Sequence, residues 1–554
     1  MNFANDQYNA ASSFAYTMIV VDDEPVADSV EQKPIAEVKT PGRHDVAAAQ
    51  KESQKPEAKR SHPLDAKGLI KSALDLGMVC SVVNPTGDEI SVAESVAKAS
   101  LRADIVALDW HMNDGDDGEL ASEIIKEILR GDQDIGGRLR LIAIYTGNKN
   151  RDDILDKIAH RINAASEISE TVVKNEEVLS NSAGLRLVWI EKSMGNEKLE
   201  GAVSEVQLPN KLLKSFAELS SGLLSNVALA TISAIRDSTH HVLSKFSSDL
   251  DGPFFHHRAL LENSSDSMDY AVSIVMSAMK SEVNKSQVAE KYATLDAIKR
   301  RLEAAGTHNF VLRYMKNGVE KQFHFSLDEI LTIIESKENN WPKEILNSAK
   351  IRIENNSNAK PSQANFKSDF TTVFASSRDE ANQAMMRFSF LSTSNSSELS
   401  KVSRNAQPKL GLGSVLYSEK SGYLLCLQAS CDAARGDGLF FFVPLEIAQS
   451  SPHVVVPHLN SKGEPNYIGL AVPSNCYTKS LTINFGKIDP DNGGVPIKFD
   501  AEKNIFHVLC DENNDFRWLA NLKYKRALRI SQDVSQQMSR IGFDEFEPYR
   551  KKRS

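Results

Sequence analysis

Four short apolar runs, each ending in a polar residue of a particular kind, constrain the fold of this chain most strongly. Met18-Ile19-Val20-Val21 ends in Asp22-Asp23-Glu24, and Ile105-Val106-Ala107-Leu108 ends in Asp109. Leu141-Ile142-Ala143-Ile144-Tyr145 ends in Thr146-Gly147, and Leu185-Arg186-Leu187-Val188-Trp189-Ile190 is followed closely by Lys192. Continuous apolar runs of this length, bounded by turn residues, suit strands buried on both faces. The segments between them read as helices, for example Ala66 to Leu76 and Glu119 to Leu129. Alternating strand and helix predicts a doubly wound α/β domain with a parallel sheet covered on both sides. Ligands of such sheets bind beyond the carboxyl ends of the strands. Asp22, Asp23, Asp109, Thr146 and Lys192 all sit at those ends, so one fold gathers them into one pocket.

Those residue types meet the electrostatic needs of phosphoryl transfer to a carboxylate. Both reactants are negative, so a cation must stand between them. Asp22, Asp23 and Asp109 offer an all-oxygen set suited to Mg²⁺, and without a metal they repel and raise one another's pKa. Lys192 supplies a compact positive charge for a phosphoryl oxygen, and Thr146 a hydroxyl for another. Singly, these are ordinary features: an Asp pair after a strand is commonly a cap or turn, and Thr-Gly is common turn chemistry. It is their order and their shared position at strand ends that point to chemistry.

The pattern resembles the receiver domain of bacterial two-component response regulators over roughly residues 15 to 200. The resemblance implies a flavodoxin-like fold with a five-stranded parallel sheet. Asp109 then matches the phosphoacceptor, Asp22 and Asp23 the acidic pair that holds Mg²⁺, and Thr146 the switch hydroxyl. Lys192 matches the phosphate-binding lysine, Trp189 takes the place of the switch aromatic, and the backbone carbonyl of His111 would complete the metal shell. A histidine kinase is the implied partner. The sequence departs from the pattern at several places. Ser193 stands where receivers usually carry a proline, and the loop Asn113-Asp114-Gly115-Asp116-Asp117-Gly118 lacks the usual proline and is unusually acidic. The stretch from Thr146 to Lys192 is long, and residues 26–63 form an insertion rich in Ala, Glu, Lys, Gln and Pro that reads as disordered.

With 554 residues the chain has room for three or four domains of ~150 residues. The receiver reading occupies 1–200, followed by a helical module at 201–306 that offers a dimerisation surface, as in a homodimer, or a docking surface. Leu212, Leu213, Phe216, Leu219, Leu223 and Leu224 recur there at helical spacing. Its pairs His240-His241 and His256-His257 read as surface or capping histidines rather than phosphotransfer or metal residues. A small α/β segment at 307–355 opens with a hairpin turning at Asn317-Gly318. A polar linker covers 356–368, and a β-rich α+β domain, a sheet or barrel, fills 369–554 and closes with a helix from about Phe516 to Ile541.

A hydrophobic content of 41% and a charged content of 25% are those of a soluble globular protein. No apolar run approaches the ~20 residues of a membrane span, and no secretory signal is visible. Cys80, Cys426, Cys431, Cys476 and Cys510 include no CxxC pair and read as reduced, so a cytoplasmic location is expected. A net charge of −9 argues against a nucleic-acid partner, the basic tail Tyr549-Arg550-Lys551-Lys552-Arg553 notwithstanding. Leu410-Gly411-Leu412-Gly413-Ser414 is too short for a nucleotide fingerprint.

Outside the receiver, Tyr423-Leu424-Leu425-Cys426-Leu427-Gln428, Cys431-Asp432 and Phe543-Asp544-Glu545-Phe546-Glu547 are similar to large receiver-bearing proteins of bacterial antiphage defence loci, including the Detocs-type phosphate-sink subunit. That resemblance implies a non-enzymatic phosphoacceptor, acting as a modulator or sink beside a histidine kinase and another regulator or effector of the same locus. Two other functions fit the sequence: a receiver-switched effector enzyme with its activity in the C-terminal half, and a binding scaffold with a vestigial receiver.

Overall fold

The computed structural model describes residues 2–26, 63–112, 117–193, 201–261, 264–306, 310–336, 367–397, 408–429, 432–433, 438–448, 452–459, 465–486, 494–500, 503, 505–510 and 515–538. The chain divides into two units, Met1–Asp237 with Ser286–Ala304, and Ser238–Lys285 with Ala305–Ser554.

The first unit is built on a mostly parallel sheet. Helix α1 (Phe3–Phe14) precedes β1 (Thr17–Val21); β2 (Pro25–Val26) and β3 (Leu64–Asp65) follow. Then come α2 (Ala66–Asp75), β4 (Val79–Val83), α3 (Glu89–Ser100), β5 (Ile105–Leu108), α4 (Glu119–Asp134), β6 (Arg140–Thr146) and α5 (Arg151–Asn163). The strands β7 (Val173–Asn175), β8 (Val178–Ser180) and β9 (Leu185–Glu191) lead to α6 (Leu208–Ala217) and α7 (Leu223–Asp237). The strand order is β4-β1-β5-β6-β9-β8-β7, with β4, β1, β5, β6 and β9 parallel.

The sheet therefore has seven strands rather than the expected five. The additional pair is an antiparallel hairpin, β7–β8, seated on the edge of β9. It accounts for the long stretch between Thr146 and Lys192. Its two-residue loop is Glu176-Glu177, with Glu176 at φ 52°. Such loops favour Asn-Gly, so the local signal for this turn was absent.

Strand β5 is buried along its whole length, as the apolar run requires. Each side chain of the Val or Ile kind taken fully out of water there contributes roughly 1.5–3 kcal/mol. Alternate residues feed two cores. Val106 and Leu108 pack with Ile124 and Ile128 of α4 and with Ile154 and Ile158 of α5. Ile105 and Ala107 pack with Leu69 of α2 and with Leu212 and Phe216 of α6. Asp65 caps α2 by accepting from Gly68 N at 2.9 Å, and Asp88 caps α3 by accepting from Ser91 N at 3.0 Å. Helix α1, which carries no apolar run, covers the second core: Phe14 stacks on Phe216 at 5.9 Å. Asp6 of α1 pairs with Arg300 of the helix Leu295–Ala304 at 2.7 Å.

The insertion expected at 26–63 is closed at its base, where β2 and β3 pair in parallel and Leu64 N donates to Glu24 O at 2.9 Å. Residues 27–62, to which the expectation of disorder applied, lie outside the described residues.

Among the described residues the second unit has two sheets. The hairpin β10 (Phe310–Lys316) and β11 (Val319–Phe325) turns at Asn317-Gly318, both at positive φ, as that dipeptide requires. The larger sheet runs through β12 (Ser394–Ser397), β13 (Ser414–Ser418), β14 (Gly422–Cys426), β15 (Leu439–Ile447), β16 (Val454–Leu459), β17 (Pro465–Ala471), β18 (Leu481–Asn484), β19 (Lys498–Asp500), β20 (Ile505–Leu509) and β21 (Asp515–Leu522). It is a sheet of ten strands, its pairs antiparallel. Leu425 faces a core closed by Phe390, Ala527, Ile530 and Val534 from two helices. Its neighbours Leu424 and Cys426 face an aromatic core of Phe440, Phe442, Phe506 and Trp518. The alternation is that of a strand buried on both faces.

The expected closing helix from Phe516 is corrected. Residues Asp515–Leu522 form β21, and the helix is Tyr524–Met538. The spacing of four between Trp518 and Leu522 imitated a helix, while strand pairing with β13 and β20 decided the matter. No helix among the described residues is long and apolar enough to cross a membrane.

Candidate functional site

The strands β1, β5, β6 and β9 are in parallel register, so their carboxyl ends lie along one edge. Asp22 follows β1 directly, its N–H donating to Val83 O at 3.1 Å; Asp109 follows β5, its N–H donating to Val21 O at 2.9 Å. Thr146 is the last residue of β6, and Lys192 N donates to Thr146 O at 2.9 Å. These backbone bonds fix the positions of the functional side chains before any side-chain contact is made.

Carboxylate oxygens of Asp22, Asp23 and Asp109 lie within 4.8 Å of one another, the single cluster of this kind among the described residues. Asp22 is 1% exposed, whereas Asp23 and Asp109 are half-buried. Lys192 is buried too, with its Nζ 2.7 Å from Asp22 Oδ2 and 3.7 Å from Asp109 Oδ2. Asp109 Oδ1 accepts from Trp110 N at 2.6 Å and from His111 N at 3.4 Å, and the neighbouring Thr146 hydroxyl favours its ionised form.

Burial pushes the Asp109 carboxyl above its ordinary value; Lys192 counteracts this, and Asp22 adds to it. Asp23 is likewise raised, first by burial and then by repulsion from Asp22 and Asp109. Burial leads both shifts, and repulsion among the neighbouring carboxylates adds to them. Hard oxygen donors crowded this closely fit a small divalent cation.

The structure thus brings together Asp22, Asp23, Asp109, Thr146 and Lys192. Trp189 lies on β9 within reach of the same loops: its Nε1 donates to Asn148 O at 3.2 Å. The Asn148 side chain in turn bonds His111 Nε2 at 3.2 Å. The acidic loop is described only at Asp117 and Gly118, residues 113–116 being outside the described set. There Arg161 of α5 bonds Gly118 O at 2.9 Å and Asp117 O at 3.1 Å, and Lys157 pairs with Asp117 at 2.8 Å.

Three residues of the site escaped the sequence reading. Tyr145 read as one more apolar strand residue, yet its hydroxyl donates to Val203 O at 2.9 Å. Val203 itself returns beside Lys192 as a parallel bridge. Glu205, on that returning segment, is raised by burial, an effect that Lys192 opposes and Asp65 and Asp22 reinforce. None of the three carries a motif.

Other candidates lie elsewhere. His240, His241 and His256 are exposed, and His257 packs against the Tyr270 ring at 4.6 Å. Cys80, Cys426, Cys476 and Cys510 are free thiols; burial pushes Cys426 up to about 12 and Cys80 to about 11, which makes both poor nucleophiles. Cys431, the segment Phe543 to Glu547 and the basic tail are outside the described residues. Gly413, in the short glycine-rich stretch, enters β13 at φ +89° with its Cα side packed on Ala527 and Leu522, a close approach within the core.

Residues 14–197 match the family model described as a response receiver domain. No curated protein and no solved structure matches the chain. The match spans every strand of the parallel sheet and all of the acidic, hydroxyl and lysine positions at its carboxyl edge. Residues 14–197 of this chain are therefore a response receiver domain.

Proposed function

We propose that the protein accepts a phosphoryl group on Asp109 from a histidine kinase. A receiver domain implies a phosphoacceptor, and one observation carries the assignment to Asp109. Its carboxylate is the point at which the acidic pair, the Thr146 hydroxyl and the Lys192 ammonium meet. In the transfer an Asp109 oxygen attacks phosphorus, the bond from phosphorus to the kinase imidazole breaks, and the imidazole leaves and is protonated. Asp109 must be ionised to attack.

Asp22, Asp23 and Asp109 would hold Mg²⁺, with the backbone carbonyl of His111 completing the shell. A bound Mg²⁺ supplies the positive charge that lets two negative reactants approach. Thr146 is placed to bond a phosphoryl oxygen, and Lys192 to neutralise another. Trp189 is the aromatic whose contact with the Asn148 carbonyl would report the change.

For the remainder we propose binding rather than catalysis. Apolar cores close both faces of the large sheet, so recognition would fall to its edges and loops. On this reading the protein is a cytoplasmic modulator or phosphate sink in a two- or three-component relay. An antiphage setting rests on the sequence resemblance alone.

The test is transfer from a cognate histidine kinase with Mg²⁺, comparing the natural chain with Asp109→Asn. Label that requires Asp109, and that decays quickly while the kinase is present, supports a sink; label that persists supports a durable switch. An effector enzyme would instead show an activity of the second unit that changes on phosphorylation.

A further inference from the structure

The receiver pattern normally places a proline after the lysine, and this chain has Ser193 there. Lys192 is nevertheless 2% exposed and firmly placed. The segment that returns from Gly201 provides the reason. Val203 N donates to Glu191 O at 2.8 Å, and Ser193 N donates to Val203 O at 3.0 Å, so Val203 clasps the backbone on both sides of Lys192. The same Val203 carbonyl accepts the Tyr145 hydroxyl at 2.9 Å. A carbonyl oxygen has two lone pairs, and both are used here. The Tyr145 ring also lies beneath the ammonium, with Lys192 Nζ 5.7 Å from its centroid, within cation–π range.

Tyr145 is 1% exposed in a core otherwise served by Leu141, Ala143 and Val188. A buried hydroxyl is costly without a partner, and an apolar residue would fill the core without that liability. Its partner is one of the two Val203 atoms that tie the returning segment to the backbone on either side of Lys192. Burial raises the phenol well above its ordinary value, so it stays a neutral donor.

We propose that Tyr145 is a positioning residue for Lys192. Its ring is the floor beneath the ammonium, and its hydroxyl anchors the Val203 clasp that takes the place of the proline. The consequence for phosphoryl transfer rests on the reading of Asp109 as the acceptor; the placement of Lys192 does not.

Two measurements on the full chain separate these. The first is competitive acetylation of amines with limiting acetic anhydride, with exposed Lys98 as internal reference. Lys192 should be protected in the natural chain. It should be labelled about fivefold faster in Tyr145→Phe, the worth of one buried neutral hydrogen bond, and faster still in Tyr145→Leu. Unchanged protection in a folded Tyr145→Phe chain overturns the proposal, whether or not Asp109 accepts a phosphoryl group.

The second is the rate of phosphorylation by acetyl phosphate with Mg²⁺ in a double-mutant cycle with Lys192→Ala. Tyr145→Phe should slow the natural chain by about fivefold and leave the Lys192→Ala chain unchanged. Equal slowing in both backgrounds is what a merely structural tyrosine would give, and it overturns the proposal. Absence of label in the natural chain, with Lys192 unmasked by Tyr145→Phe, sinks the phosphoacceptor reading and leaves the positioning role standing.

Discussion

Lys192 Nζ sits 2.7 Å from Asp22 Oδ2, closer than its 3.7 Å approach to Asp109. The lysine is therefore the counterion of a carboxylate that would also hold a metal. On the proposed reading Lys192 and Mg²⁺ would share Asp22 as a partner, so each should weaken the other's hold on it. Lys192→Ala should then bind Mg²⁺ more tightly, by about fivefold or more for loss of a charge-assisted contact, while accepting a phosphoryl group more slowly. Titrating Mg²⁺ against the tryptophan fluorescence of the chain checks the first half, and the rate of labelling by acetyl phosphate the second. Weaker Mg²⁺ binding in the variant would contradict the competition.

The raised carboxyls of Asp109, Asp23 and Glu205 give a pH dependence of known sign. In the unfolded chain the two aspartates ionise near 3.8 and the glutamate near 4.5, while in the folded site each ionises at higher pH. The folded state thus holds more protons, and these groups favour folding fully below the unfolded values. Their contribution is lost as pH rises through the folded values. Without metal, Asp109→Asn should consequently raise the melting temperature at pH 7, and the gain should vanish toward pH 4. Mg²⁺ should stabilise the natural chain more than the variant. Thermal melts over this pH range, with and without Mg²⁺, decide it.

Gly118 begins α4 at φ +75°, and a Cβ there would lie 2.2 Å from the Trp110 ring. Trp110 is fully buried directly after Asp109 and cannot retreat. Gly118→Ala should cost about 2 kcal/mol or more, from backbone strain and overpacking together. It should also displace the acceptor loop. A denaturant melt gives the stability, and a red-shifted tryptophan emission would report the opened core.

At the opposite end of the same sheet, Arg140 and Asp132 form a buried bidentate pair at 2.6 and 2.7 Å. Arg140 also bonds Ser100 O and Ala103 O, closing the carboxyl end of α3. Arg140→Met leaves Asp132 uncompensated and should cost about 3–5 kcal/mol. The pair Arg140→Met with Asp132→Leu should recover a large part of that loss. Chemical denaturation of the three chains measures it, and an equal loss in the double variant would contradict the account.

The receiver was legible because its central strands β1, β5 and β6 are buried on both faces, which writes continuous apolar runs into the sequence, and because parallel order sends their polar ends to one edge; the half-exposed edge strand β4 wrote no such run. Asp22, Asp109 and Thr146 follow from that geometry directly. The β7–β8 hairpin was not legible, since Glu176 turns the chain without a residue suited to positive φ. Tyr145 was hidden by its own burial, and Val203 by being an ordinary residue whose backbone does the bonding. In the second unit the hairpin at Asn317-Gly318 could be read from its turn, whereas β21 borrowed a helical spacing and needed its neighbours to define it.

The most direct test of the phosphoacceptor assignment is the intact mass of the full chain after treatment with acetyl phosphate and Mg²⁺, followed by mapping of the modified residue. The account predicts a gain of one phosphoryl group, located on Asp109 and abolished both by Asp109→Asn and by removal of Mg²⁺. A chain that gains no phosphoryl group from either acetyl phosphate or an active cognate kinase would contradict it, as would a stable adduct on another residue in the Asp109→Asn chain.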